Sequence, residues 1–310
     1  MKSMMKRNTF REIKKSFGRY FAILAIIALG VAFFSGLKIT QSVMVHSADV
    51  YLKDLQFYDY RLVSTLGFTE ENVEALAEKE DVRAAEGAIS AEVLYKDAGE
   101  NERVIKMHSI TEKVNKLKLV AGEMPQSADE CVVDSVLFSE DAIGSKLVLS
   151  ENNTTDDLDK FAYKEYTITG LVQSPCYIQF ERGNTSIGNG RISGFAYILK
   201  DGFAVDYDTE IYIKFDEDYD IYSDEYDSYM DAKEADWEAY TKEQADIRYE
   251  KIVKDAQDEL DEKKEELEEK RAEAEAELES AKQQLTDGET EISDGKNQIA
   301  SAKTELSAKA

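Results

Sequence analysis

The 310-residue chain is 43% hydrophobic and carries a net charge of −26, which allows one or two folded domains plus extensions. That charge is divided: residues 1–48 hold 8 of the 38 Lys/Arg and 1 of the 64 Asp/Glu, net +7, leaving 30 against 63, net −33, in the other 262. So acidic a remainder excludes nucleic acid and anionic lipid head groups as partners for the chain after residue 48.

Residues 1–19 read as a basic amphipathic lead-in, with Phe10, Ile13 and Phe17 on one helical face. Such a helix lies on the inner surface of a membrane or docks on a cytoplasmic protein; a purely topogenic basic tail is the plainer alternative. Residues 20–48 read as a transmembrane helix and its extracellular extension. Tyr20 to Leu37 is an 18-residue run without a charge, closed by Arg19 and Lys38. At 1.5 Å per residue it covers about 27 Å, close to the hydrocarbon thickness of roughly 30 Å. A cleaved signal peptide competes, but its apolar core is too long and Ala48 has His46 at the −3 position. The basic flank places the N-terminus in the cytoplasm and the chain from about Gln41 outside. Ala28, Ala32 and Gly36 recur every four residues, a spacing that lets two helix backbones approach in lipid.

Residues 49–221 read as an extracellular mixed α+β domain. Strands are predicted at 58–65, 88–96, 103–110, 130–133, 146–149, 164–172, 194–199 and 208–215, where β-branched and aromatic residues run between turn formers. Thr69 caps a predicted helix over 70–80 with Val73, Leu76 and Ala77 as its buried stripe. Residues 97–102 and 121–125 read as turns, 135–140 as a helical turn, and 151–159 as a polar loop. Strands with few interleaved helices predict α+β layers rather than a doubly wound sheet.

Residues 222–310 read as a long coiled-coil helix with Ser223 as its N-cap. With Leu278 at heptad position a, that position also holds Leu285, Ile292, Ile299 and Leu306; position d holds Leu260 and Leu267, and later Gly288 and Gly295. A sustained seven-residue repeat argues coiled coil. Each glycine costs about 1 kcal/mol of helix propensity against Ala, which the close approach of a partner helix, from beyond residue 310 or from another chain, would offset.

No catalytic, cofactor or metal site emerges. Gly295-Lys296 is followed by Asn297 and lacks the first glycine of a phosphate loop, and Ser193 lacks the glycines of a nucleophile elbow. Gly188, Gly190 and Gly194 lead into a strand instead of a helix N-terminus. Asp216, Asp218 and Asp220 have calcium-loop spacing, but Ile221 stands where the turn needs Gly and Asp227 where it needs Glu. Cys131 and Cys176 allow one disulfide or two free thiols. His46 and His108 leave little for histidine chemistry, and His108 with Cys131 has no CxxC or HxxxH companion.

The order of these features resembles the FtsX-like permeases, the MacB-type membrane subunits of ABC transporters. The likeness is carried by RNTFREIKKSFGRYFAILAIIALGVAFFSGLKITQ at the start, LVAGEMPQSADECVVD (119–134), EYTITGLVQSPCYIQFERGNTSIGNGRISGFAYI (165–198) and IYSDEYDSYMD (221–231). It implies a MacB-like periplasmic core domain, a cytoplasmic ABC ATPase subunit as partner, and further transmembrane helices of the same or a second permease. It also implies that this chain is the N-terminal portion of a longer subunit, coupling the partner's ATP hydrolysis to extracellular domain motion or substrate export, without enzymatic activity of its own. A reading of another class is a single-pass extracellular adhesin or structural coiled-coil protein.

Overall fold

The computed structural model describes residues 2–97 and 99–308. The ranges read above as lead-in, turn and coiled coil therefore each contain positions (1, 98, 309 and 310) outside the described residues. Two compact units are present, Met1–Lys233 and Glu234–Ala310.

The first unit opens with α1 (Lys2–Lys15), which breaks at Ser16, and α2 (Phe17–Asp54). α2 is 38 residues without interruption, about 57 Å at the helical rise, so it continues past the predicted end at residue 48. It is long and apolar enough to cross a membrane, and none of its most apolar stretch is buried inside the protein.

Ten strands follow: β1 (Tyr60–Phe68), β2 (Val82–Ala88), β3 (Ser90–Lys96), β4 (Glu102–Ser109), β5 (Lys118–Gly122), β6 (Glu130–Asp134), β7 (Lys146–Leu149), β8 (Glu165–Gln173), β9 (Ile192–Ile198) and β10 (Asp208–Phe215). Between them lie α3 (Glu70–Ala77) and the single turn α4 (Thr155–Leu158). The predicted loop over 151–159 is thus partly helical, because the Thr154 hydroxyl caps α4 by accepting from the Asp157 N–H. The predicted helical turn at 135–140 is instead a reverse turn followed by a 3₁₀ turn at Glu140–Ala142. On α3, Leu76 is buried and Val73 half-buried, whereas Ala77 is exposed.

β1, β10 and β2 form an antiparallel three-stranded sheet in that order. The other seven strands run β5-β8-β6-β9-β4-β3-β7, and β7 also pairs with β8. That last pairing closes a six-stranded barrel within the α+β arrangement. Closure is possible because β8 shares one edge between two partners. Its first residues pair with β7 (Glu165 to Thr167) and its last with β5 (Gly170 to Gln173), while β6 takes the other edge.

At the handover Gly122 pairs with Gly170. Gly122 sits at φ +77°, and a Cβ there would lie 2.2 Å from the Thr169 carbonyl oxygen. Only glycine permits that crossing. Alternate residues fill the barrel: Cys131 and Val133, Ala196 and Ile198, Tyr166 and Ile168, Ile105 and Met107 are all buried in one cluster. Their neighbours Val132, Val172, Phe195 and Tyr197 form a second cluster on the outer side of the wall, so these strands are apolar on both faces. The final helix, α5 (Asp224–Ala308), is 85 residues long and passes Gly288 and Gly295 without a break.

Candidate functional site

The residues marked in the sequence are not brought together by the fold. Ala28, Ala32 and Gly36 lie exposed on α2, and a Cβ on Gly36 would meet nothing within 4 Å. Along α5, Leu260, Leu267, Leu278, Leu285, Ile292, Ile299 and Leu306 are each at least half exposed, and Gly288 and Gly295 have open space beside them.

The two cysteines are free thiols, not a disulfide. Burial raises both pKa values, that of Cys176 to about 11, so both are neutral at pH 7. His108 is buried, stacked on Tyr197 at 5.0 Å, and shares a 2.6 Å hydrogen bond with the Tyr177 hydroxyl. Burial pushes its pKa down to about 3. It is a neutral core histidine. Among the described residues no cluster of His, Cys, Asp or Glu is placed to hold a metal.

The acids with calcium-loop spacing serve a different purpose. Arg83 donates to Asp218 at 3.1 Å and to the Asp216 carbonyl, while Lys53 donates to Asp220 at 2.6 Å. This places them in a junction between the end of α2, the paired strands and the first turns of α5. The last turns of α2 supply Asp49 and Lys53, one helical turn apart, and Lys53 bridges Asp49 at 3.0 Å as well as Asp220. Asp49 is buried and accepts the Ile221 N–H at 2.9 Å. Asp220 and Ile221, just ahead of Tyr222 and the Ser223 cap of α5, are therefore held by α2 through side chain and backbone together. The bond to Asp220 raises the Lys53 pKa, and the same bond lowers that of Asp220, so the pair stays charged across the neutral range.

Directly after this clamp Tyr222 takes φ +72°, a left-handed turn uncommon for a residue with a side chain. Ser223 then caps α5, its hydroxyl accepting from the Tyr226 N–H at 3.1 Å as its position predicted.

Asp59 makes a second set of bonds just after α2. One oxygen takes the Lys214 ammonium at 2.9 Å and the Tyr226 hydroxyl at 3.2 Å, and the other takes the Phe215 N–H at 2.9 Å. Asp59 and Lys214 are both nearly inaccessible to water. A buried pair with its remaining bonds satisfied is costly to break by removing one partner. Farther along α5, Lys233 pairs with Asp81 at 2.5 Å and lies over the rings of Phe215 and Tyr229 at 5.8 and 5.3 Å. The α2 end itself is locked to the domain because the Asn115 and Lys116 N–H groups donate to the carbonyls of Gln56 and Leu55.

The junction joins the end of α2, the three-stranded sheet at Arg83 and Lys214, and the first turns of α5 through side-chain and backbone hydrogen bonds. Asp49, Lys53, Asp59 and Lys214 were not legible as a site, because in a chain with 64 acids no local spacing singles them out. Tyr226 and Tyr229, three residues apart in the first turns of α5, were the available signal: the Tyr226 hydroxyl reaches Asp59 and the Tyr229 ring packs on Phe215.

No family model matches the chain, and no curated protein matches it in sequence. Among solved structures, the chain is similar to the extracellular domain of the noncanonic ABC-type transporter YknZ from Gram-positive bacteria, at 12% identity and TM-score 0.33, covering 50% of this chain and 76% of that one. It is likewise similar to the periplasmic region of MacB from Actinobacillus actinomycetemcomitans, at 13% identity and TM-score 0.33, covering 52% of this chain and 69% of that one.

Proposed function

We propose that this chain belongs to the membrane subunit of an FtsX/MacB-type ABC transporter, in which α2 spans the bilayer and passes motion from a cytoplasmic ATPase partner to an extracellular domain. The lead observation is the clamp of Asp49 and Lys53 on Asp220 and Ile221. A helix that crosses a membrane and runs unbroken to Asp54 acts as a stiff rod. A displacement at its basic end arrives at the root of α5 without a flexible linker between.

In this reading α1 and the basic residues up to Arg19 face the ATPase side, and the uncharged stretch of α2 packs on further transmembrane helices through Ala28, Ala32 and Gly36. The protein itself hydrolyses nothing; ATP turnover belongs to the partner.

Affinity purification of the tagged protein from solubilised membranes tests the proposal. An ABC ATPase recovered in stoichiometric amount is expected. Recovery of the protein from the soluble fraction, or from membranes without any ATPase, contradicts it. Gly36→Leu should weaken assembly with the remaining membrane helices, and unchanged assembly would remove Gly36 from the packing face.

A further inference from the structure

We infer that the cleft at one end of the barrel, where the β3–β4 turn meets β7 and the segment 135–145, binds a small apolar molecule by its carboxylate head, which the Tyr95 hydroxyl and the Arg103 guanidinium hold. The cleft has a volume of about 760 Å³, within the roughly 300–1,000 Å³ of small-molecule sites, and the mouths of barrels are a preferred place for them. It shares no residue with the junction of α2 and α5, and its ligand does not depend on the transporter reading.

The cleft is apolar for a local reason. Tyr95, Leu147 and Ile168 belong to the core cluster of the barrel, and Leu137, Phe138 and Ala142 pack against that cluster only in part. β3 and β7 pair only at Tyr95 with Leu149 and Lys96 with Val148. Past Lys96 the wall parts, and the segment 135–145 covers the gap incompletely, leaving Leu137 and Phe138 half-buried.

Tyr95 sets the chemistry. The residue is 2% exposed, and its ring lies 6.0 Å from that of Phe138. Its hydroxyl has no hydrogen-bond partner among the described residues, yet it is not one of the unpartnered polar atoms sealed inside the protein, which sit on Asn115, Asp208 and Arg248. The hydroxyl therefore reaches the cleft that its residue lines. A buried hydroxyl left unpaired is costly, and a ligand atom in the cleft supplies the missing bond. Burial pushes its pKa up to about 12, so at neutral pH it keeps its proton and can donate it.

The surrounding charges say what that atom is. Asp97 is already filled: one oxygen accepts the Gly99 and Asn101 N–H groups at 2.9 Å each, and the other takes Nε of Arg103 at 2.8 Å. That bond leaves the two terminal nitrogens of the exposed Arg103 for a ligand. Lys96, also on the rim, has no hydrogen-bond partner among the described residues. The charges of Arg103 and Asp97 act on the Tyr95 hydroxyl, which sets it on their side of the mouth. This side therefore offers donors, and a carboxylate matches them best. The other acids of the rim, Glu100 and Asp141, are exposed, where water and salt screen them.

Photolabelling of the full chain in its own membrane with a diazirine derivative of decanoate, read by mass spectrometry, tests the inference. Labels on Leu137, Phe138 and Leu147 that unlabelled decanoate displaces are expected. Tyr95→Phe keeps the ring and removes only the hydroxyl, so the protein should melt as before while labelling of the cleft falls several-fold. Arg103→Gln should lower it too, and decides in its place if Tyr95→Phe loses its melting transition. The same diazirine chain with an ammonium head should label the cleft several-fold less. Labels that decanoate does not displace, or labelling unchanged in a folded Tyr95→Phe, overturn the site. Equal labelling by the ammonium probe overturns the carboxylate head.

Discussion

The barrel domain and the length of α5 after Lys233 spend leucine, isoleucine and valine in opposite ways. In the barrel they alternate along short strands, and the chain covers them itself: Val93, Ile105, Val133 and Ile198 are wholly inaccessible. Along α5 they recur every seven residues and face outward, with Leu285 68% and Ile299 70% exposed. The difference lies in closure. A period-two pattern in strands that can wrap into a cylinder finds its cover within about a hundred residues. A heptad stripe on one straight helix cannot fold back on itself and must find cover elsewhere.

The comparison is broken most directly at Phe195, which is buried, stacked on Tyr177 at 4.4 Å and covered by the Arg182 guanidinium. Phe195→Ala should cost the domain about 3–5 kcal/mol in a denaturant titration. Leu285→Ala should leave that titration unchanged, because Leu285 is 68% exposed and lies in the separate unit Glu234–Ala310. A comparable loss from both would erase the distinction.

Acid should expose the next largest effect. Burial by itself would raise the Glu210 pKa, but hydrogen bonds from Ser90 and Tyr212 outweigh it and hold the carboxyl at about 2. A depressed carboxylate contributes stability that is complete above its unfolded value near 4.5 and is lost as pH falls towards 2. The expected loss over that window is on the order of 3 kcal/mol at 1.36 kcal/mol per unit. His108, held neutral down to about 3, adds a loss that begins near pH 6.5, where the unfolded chain takes up its proton. Thermal melting of the wild type and Glu210→Gln between pH 5 and 2 checks the first part; equal slopes would contradict it.

A smaller change should follow from Gly122→Ala, which places a Cβ into the backbone of β8 in a left-handed conformation. About 1–3 kcal/mol is expected from the conformation alone, with the barrel seam as the first region to exchange amide hydrogens. The smallest expected effect on stability is at the clamp. Lys53→Ala removes partly exposed ion pairs worth under about 1 kcal/mol, so melting should barely move. The ATPase stimulation of the assembled transporter should nonetheless fall, and an unaffected stimulation would show that the clamp transmits nothing.

How much of this was legible follows from which forces are local. β3, β7 and β10 stand out because their apolar residues alternate in runs of strand formers. β2 does not: Val82, Ala85 and Ala88 are buried at three-residue spacing, which mimics a helix, and only pairing with β10 makes VRAAEGA a strand. β5 is mostly exposed, so it carries no alternation. Barrel closure depends on β8 meeting β7 and β5 along one edge, a long-range event with no local signature beyond Gly122 and Gly170. α5 and its cap at Ser223 were readable because heptad period and capping act within a few residues. The clamp was hidden for the opposite reason: Asp49 and Asp220 are 171 positions apart in an acid-rich chain.

The central claim is that α2 crosses a bilayer with its basic end inside and the junction outside. Labelling of single cysteines in intact cells by a membrane-impermeant maleimide tests it, using Asp141→Cys on the domain surface and Lys6→Cys on α1, both at exposed positions. The account predicts that Asp141→Cys reacts in intact cells and Lys6→Cys only after permeabilisation. Reaction of Lys6→Cys from outside, with Asp141→Cys protected, would contradict it.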